Sequence, residues 1–448
     1  MLNCCFLNKP LATILLMSAS MSPIYAAEES RSRPPNGVTN FITDSSADIS
    51  LRNQFKNLNS SDYGERSVQT AWGQGVTLDF RSGYIADIIG FDTSYYQVFK
   101  LAASDDFAGR SVLYNDNGKA KGFHKFGQLY AKLKLDGEDS YFRLYSGWQI
   151  INKWGALTNS SRAIPSTYQG WKMDSEFGRL AFRGAWVDRY SDRDSPEQVH
   201  FQTADRKKNI SYLATGELSY KQKDYSVLYF YGESHNYMQR HGVEVGWQPQ
   251  SLAKNQGRVL TMLYMNHGLK DFKAMSADYR PFNNDAWHAA FYLEWKQHKW
   301  KNKFGASWTR ANSSDDHLGY FERHMAKNSR GRFNSMADAW GNDYVGNNER
   351  SVAWTTEYKL TPEVNVGLQS AIGWGMKYHS RTIERGETIL FSRWKPSWEK
   401  NLSFQLSGGP SWNYQSKKNR PILTDDGRPK RAVNHSIEFQ IDYAFNLF

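Results

Sequence analysis

Apolar and polar residues alternate along this chain with period two. Ile49, Leu51 and Phe55 share one parity, and Ser50, Arg52, Gln54 and Lys56 share the other. The same split sets Val76, Leu78 and Phe80 against Thr77, Asp79 and Arg81. It sets Leu129, Ala131, Leu133 and Leu135 against Tyr130, Lys132, Lys134 and Asp136, and Phe142, Leu144 and Trp148 against Tyr141, Arg143, Tyr145 and Gln149. It recurs with Leu180, Phe182 and Trp186 against Arg179 and Arg183, and through 287–296, 300–309 and 364–374. Period two predicts β-strands with one greasy and one polar face.

Each run approaches the roughly 9–11 residues that a tilted membrane-crossing strand needs. Short polar turns separate some runs, at 136–139, 221–224 and 297–299. Long polar stretches separate others, at 104–124, 150–165, 191–207 and 312–349. Short turns at one end and long loops at the other predict a transmembrane β-barrel. The final stretch, VNHSIEFQIDYAFNLF (433–448), keeps Ile437, Phe439, Ile441, Tyr443, Phe445 and Leu447 on one parity. It is predicted to be the closing strand, with its apolar parity one residue out of step with the last aromatic, Phe448.

Alternation alone also suits a soluble sheet with one wet face. The opposite end of the chain decides between them. Lys9 is the one charge in the first 27 residues, an apolar run LATILLM follows, and Ala26 precedes a plausible cleavage point. This predicts an export signal over 1–26, too short to anchor, and a single barrel over 27–448. Cys4 and Cys5 fall in the removed part. The mature chain then has no thiol for disulfides, thiol–metal sites or thiol catalysis.

Composition agrees with that reading. Aromatics make up 15 %, with 16 Trp, 26 Tyr and 25 Phe, as expected where girdles mark both membrane interfaces. No later apolar run nears the ~20 residues of a membrane helix, a test that barrels escape. The net charge of +11 becomes +10 once Lys9 is removed (11 − 1). Its basic residues are dispersed along strands, and export argues against nucleic acid as the partner.

Residue blocks add a resemblance. FITDSS at 41–46, LRN at 51–53, WGQG at 72–75, LDFRSGY at 78–84 and GFD at 90–92 occur in the order that opens the OprD family of substrate-specific outer-membrane porins. SRAIPSTYQG at 161–170 resembles the family's S-R-L-L-P-x-T-[FY]-x-G stretch, with Ala163 and Ile164 in place of the Leu pair. Asp188-Arg189 and Arg193-Asp194-Ser195 resemble the segment that follows. Gly319-Tyr320-Phe321, through Asn328-Ser329-Arg330-Gly331-Arg332, to Trp340 resembles the chitoporin branch. The resemblance implies an all-β, eighteen-stranded antiparallel barrel in the Gram-negative outer membrane, an inward-folded third loop and a basic wall. Its partners are outer-membrane lipid, small solutes and, during insertion, the barrel assembly machinery; the oligomeric state stays open.

A pore needs a wet path, a constriction and groups that hold solute weakly. Arg162 is the candidate constriction residue. Arg52, Arg81, Lys132, Lys134, Arg143, Arg179, Arg183, Lys301 and Lys303 are candidate basic wall groups, able to grip carboxylates or merely to solvate the lumen. Tyr130, Tyr141 and Tyr145 are candidate stacking faces for sugar rings, or ordinary girdle residues. No H-E-x-x-H, G-x-S-x-G or Walker loop occurs, so no cofactor, metal or catalytic set is expected. The expected function is passive, selective diffusion, with short chitin-type oligosaccharides favoured. The alternatives are small carboxylates or amino acids and, from another class, a barrel hydrolase.

Overall fold

The structure, a computed structural model, describes residues 37–62, 66–105, 109–249, 257–314, 316–334, 336 and 342–448. The expected export signal and Trp340 lie outside them. The first strands are β1 (Ser46–Ser60), β2 (Ser67–Arg81), β3 (Ile89–Ala103), β4 (Phe123–Asp136), β5 (Ser140–Gln149) and β6 (Thr167–Phe177). Next come β7 (Leu180–Ser191), β8 (Leu213–Lys221), β9 (Tyr225–Ser234), β10 (Met238–Trp247), β11 (Arg258–Gly268) and β12 (Asp285–Gln297). The last are β13 (Trp300–Arg310), β14 (Arg350–Lys359), β15 (Val364–Tyr378), β16 (Arg381–Trp394), β17 (Leu402–Tyr414) and β18 (Arg431–Asn446).

Each strand pairs antiparallel with its neighbours in sequence, and β18 pairs back onto β1 from Asp48↔Asn446 to Asn59↔His435. The result is the expected closed eighteen-stranded barrel. Closure satisfies every edge, which is what lets a sheet cross a bilayer.

The two faces point as the alternation requires. Leu129 is 55 % exposed and Ile437 52 %, whereas His288, Gln369 and Glu387 are at 1 %, 0 % and 0 %. The greasy parity faces outward to lipid, and the polar parity faces into the barrel. Outward Trp residues collect near the strand ends: Trp171, Trp186, Trp287 and Trp308 at the long-loop end, and Trp247, Trp300 and Trp394 at the other. These are the interface girdles.

Both ends of the barrel sheet, and the short turns, lie at the same rim, which by barrel convention faces the periplasm. A short helix, α1 (Gly37–Thr43), precedes β1 there, and its Phe41 carbonyl accepts the Gly83 N–H at 3.0 Å. The long loops lie at the opposite rim: L2 (104–122), L3 (150–166), L4 (192–212), L6 (269–284), L7 (311–349) and L9 (415–430). Two connections at this rim are short, 235–237 and 379–380, which the sequence did not single out. The parity slip at the C-terminus has a simple cause. β18 ends at Asn446, and the last two residues leave its pleat. Leu447 N–H donates to Ala47 O (2.7 Å), and Phe448 O accepts from Ala47 N (3.3 Å), so Leu447 and Phe448 are both exposed.

Candidate functional site

Two loops, not one, fold into the barrel. L3 leaves the end of β5 and is held against three parts of the wall. Gly155 N donates to Glu217 of β8 (2.8 Å), and Ala156 N donates to Thr215 Oγ1 (2.7 Å). On the far side Arg52 of β1 donates to Ser161 Oγ (2.8 Å) and to the Arg162 carbonyl (3.2 Å). Ala163 lies so close to β2 that a Cβ at Gly75 would fall 2.2 Å from its carbonyl oxygen. Glycine is required there for backbone to meet backbone. Ala163 and Ile164, which replace the family's Leu pair, are buried with Val98, Val112 and Leu113, the last two in L2.

L7 comes in from the opposite wall. Arg240 of β10, fully buried, donates to the Arg323 carbonyl (2.9 Å) and to that of Glu322. A Cβ at Gly305 of β13 would lie 2.2 Å from the Met336 carbonyl. L3 and L7 then meet. Leu157 bridges Gly331, Thr158 N donates to Arg330 O (3.3 Å), and Arg332 N donates to Ala156 O (2.8 Å). Arg332 closes the joint. Its guanidinium takes both oxygens of Glu244 (2.9 and 3.0 Å) and Glu217 Oε2 (2.8 Å). All three side chains are buried, and removing one partner strands charge in a low-dielectric site.

A cationic cluster lies where L3, L4 and L7 converge. Arg330 donates to Ser160 Oγ (3.1 Å) and to Asp192 Oδ2 (3.4 Å), and lies 3.4 Å from His324 Nε2. Burial, then the nearby Arg162 and Arg330 charges, push the Arg193 guanidinium down to about 9. Burial and Arg330 hold His324 neutral, far below its ordinary range. Burial opposes the charge on Asp192, but Arg330 and Arg193 keep its carboxyl below the usual range. Arg162 Nε, Arg193 Nε and His324 Nδ1 are buried with no hydrogen-bond partner among the described residues.

Four of the expected wall residues, Lys132, Lys134, Arg143 and Arg183, fall into one patterned surface. Register makes Lys132, Tyr145 and Lys172 successive neighbours across β4, β5 and β6. The next row reads Lys134, Arg143, Asp174, Arg183 and Glu217. Nearly every cation there has an acid beside it. Arg52 pairs with Asp442 (2.5 Å), Arg81 with Asp48 (3.0 Å), Lys132 with Asp92 (2.8 Å), and Lys134 with Asp87. Arg143 pairs with Asp136 (2.5 Å), and Arg183 with Asp174 and Glu217 (3.3 and 3.4 Å). Lys303 lies over the Tyr292 ring at 4.4 Å, and Lys301 stands opposite Glu357 in register. Arg179 is not on a strand. It occupies the exposed turn between β6 and β7, because β6 runs to Phe177 and the hairpin needs Gly178 and Arg179 to reverse.

Two of the three expected aromatics, Tyr130 and Tyr145, gather at one spot. Lys172 Nζ lies over Tyr145 (4.6 Å), Trp154 of L3 (5.1 Å) and Tyr130 (5.9 Å). Tyr130 and Tyr145 meet edge to face at 5.9 Å, and Tyr130 donates to Asp92 (2.7 Å). Tyr141 lies lower on β5, under the Arg143 guanidinium. The sequence reading did not assign Arg193, His324, Arg330, Arg332, Glu217, Glu244, Trp154 or Lys172. Its signal for L7 was the basic run at 328–332, noted as a resemblance and given no role.

Comparison with known proteins follows the same line. A model of the family described as "outer membrane porin, OprD family" matches residues 39–387. A chitoporin of Escherichia coli (strain K12) is 22 % identical over 334 residues, covering 67 % of each chain. The crystal structure of Pseudomonas aeruginosa OccK9 (OpdG) superposes with a TM-score of 0.71 at 17 % identity, over 91 % of this chain and all of that one. That of OpdK with vanillate, also from Pseudomonas aeruginosa, gives 0.70 at 14 % identity with the same coverage.

Proposed function

The chain belongs to the OprD family of outer-membrane porins, and from that premise we propose that the solutes it selects are short oligosaccharides of the chitin type. Diffusion of small solutes through an outer-membrane channel is the family's activity. The finer assignment is our own, and one observation carries it. The inner wall below L3 presents a half-buried aromatic face, Tyr130, Tyr145 and Trp154, beside a wall whose cations are mostly matched by carboxylates. Such a surface offers flat rings to pyranose faces and paired donors and acceptors to hydroxyls. It does not present a row of bare charges. The chitoporin relative supports the same class.

Arg162 would act at the narrow passage, where its guanidinium meets solute that passes beside the L3–L7 joint. A second reading has its own support. Arg162 Nε and Arg193 Nε are buried donors left unspent among the described residues, which suits a small carboxylate, and OpdK, a neighbour in fold, was solved with vanillate.

Planar-bilayer recording with chitotriose and with a small aromatic carboxylate, each on the same purified channel, separates the readings. Transient blockade by the sugar with none by the acid supports the oligosaccharide assignment. The reverse pattern replaces it with the carboxylate one.

A further inference from the structure

We propose that L9 is an ion-latched strap across the extracellular mouth, closed on Asp278 of L6, and that it sets how readily solute gets in from outside. L6 joins β11 to β12 and L9 joins β17 to β18, so their nearer roots are five strands apart on the ring (17 − 12). At ~4.8 Å between strands that is about 24 Å of wall. Yet the loops touch. Lys418 Nζ lies 3.2 Å from Asp278 Oδ2, Arg420 lies 3.4 Å from Asp278 Oδ1, and Asn419 Nδ2 donates to the Asp278 carbonyl (3.4 Å). The two loops bridge that stretch of rim together with L7, which is rooted between them and touches both.

The strap is built for that contact. Ser416–Lys417 and Arg420–Pro421 pair as a hairpin whose two turn residues, Lys418 and Asn419, both have positive φ (51° and 60°). Asn suits that conformation and Lys does not. Lys418, the less suited of the two, also carries its ammonium to Asp278. L7 supports the strap from beneath. Leu318 N donates to Asn419 O (2.8 Å), and buried His317 places Nε2 3.1 Å from Asp278 Oδ1, with Arg420 Nε 3.0 Å from the same nitrogen. Asp278 therefore gathers donors from two other loops. The Lys418 and Arg420 side chains remain about half exposed, 52 % and 51 %. Such a latch is weak enough to open and is screened by salt.

The latch rests on the porin assignment and not on the choice of sugar. Its test therefore uses a neutral polymer, a small polyethylene glycol added to one side of a bilayer holding the oriented channel. In Asp278→Asn the rate of polymer-induced blockade from the loop side should rise about threefold, with blockade from the turn side unchanged. Asp278→Lys should behave alike. Asp278→Lys combined with Lys418→Glu and Arg420→Glu should bring the loop-side rate back toward the parent value. Heat-modifiable gel mobility checks that each variant is a folded barrel. A loop-side rate unmoved in both single variants, or moved equally on both sides, overturns the strap. A parent protein that carried no ionic current at all would instead overturn the porin assignment.

Discussion

The joint between L3 and L7 and the strap between L6 and L9 use the same chemistry in opposite surroundings. Both close a gap between distant loops with basic side chains on carboxylates. At the inner joint the Arg332, Glu217 and Glu244 side chains are only 5 %, 3 % and 8 % exposed. At the strap Asp278 is 26 % exposed, and its Lys and Arg partners about half. Burial turns the first into a fixed part of the pore, because charge without a partner has nowhere to go. Exposure turns the second into a contact that water and salt can replace. Position along the pore thus follows energetics: the permanent filter is dry and deep, and the adjustable one is wet and at the rim.

The sharpest way to break this contrast is Arg332→Met. It leaves Glu217 and Glu244 buried without their main partner, a cost of about 3–5 kcal/mol where a buried pair is broken. The wall itself does not depend on Arg332, so the barrel should keep its fast unheated gel mobility. L3 and L7 should part, and single-channel conductance should rise at least about twofold as the constriction widens. Arg332→Lys should fall between, since one ammonium cannot grip both acids as a planar guanidinium does. Unchanged conductance in a folded Met variant would show that the joint is not what narrows the pore.

Next in size is Tyr145→Ala. It removes one ring from the face around Lys172 while leaving the joint alone. If an aromatic contact there is worth about 1 kcal/mol, sugar dwell time should shorten about fivefold. Blockade kinetics of chitotriose measure this directly, and unchanged dwell would move the sugar contact elsewhere. Arg162→Ala should do less. Its guanidinium is one of several in the L3–L4–L7 cluster, so anion preference should drop modestly and conductance should rise by less than about twofold. The reversal potential across a salt gradient measures the first, and open-channel current the second.

How much of this could be read from sequence follows the reach of each interaction. Period two is local, so the strand faces, the turns at 136–139 and 297–299 and the four longest loop stretches were legible in residue order alone. Leu133 outward and Lys132 inward needed only parity and the export signal. Arg179 was misplaced because parity carries β7 one residue back beyond Leu180, its first, into a two-residue turn too short to show as a polar break. The pairing of the wall cations was half visible. Asp136 and Arg143 are close in sequence, but Arg52 finds Asp442 only when β18 closes on β1. The inner joint was invisible for the same reason. Arg332 meets Glu217, 115 residues away, through a loop folded inside a ring. Arg162 was nominated by a resemblance, while Arg330 and Arg193, its neighbours in space, lay in blocks with no assigned part.

The smallest effect expected comes from pH, and it separates the two regions once more. Burial, with the Arg332 charge beside it, pushes Lys153 of L3 down to about 8, and Arg193 of L4 is down at about 9. Both have folded values below their unfolded ones. The unfolded chain therefore binds more protons in the window above those values, and stability contributed by the neutral forms grows as pH rises through it. The deep cluster should accordingly shed positive charge between about pH 7 and 10 without loosening, and anion preference should decline over that range. Asp278 behaves the other way. Hydrogen bonding from His317, then from Lys418, holds its carboxyl below the usual range, so the strap stays latched across the same sweep and releases only in acid, beneath the ordinary carboxylate range. Reversal potentials measured from pH 7 to pH 10 should drift smoothly while the loop-side blockade rate of the neutral polymer stays flat. Lys153→Met should remove the first part of the drift and leave the remainder. A blockade rate that tracked the drift would mean that deep and rim charges are coupled, and the division between a fixed filter and a separate strap would fail.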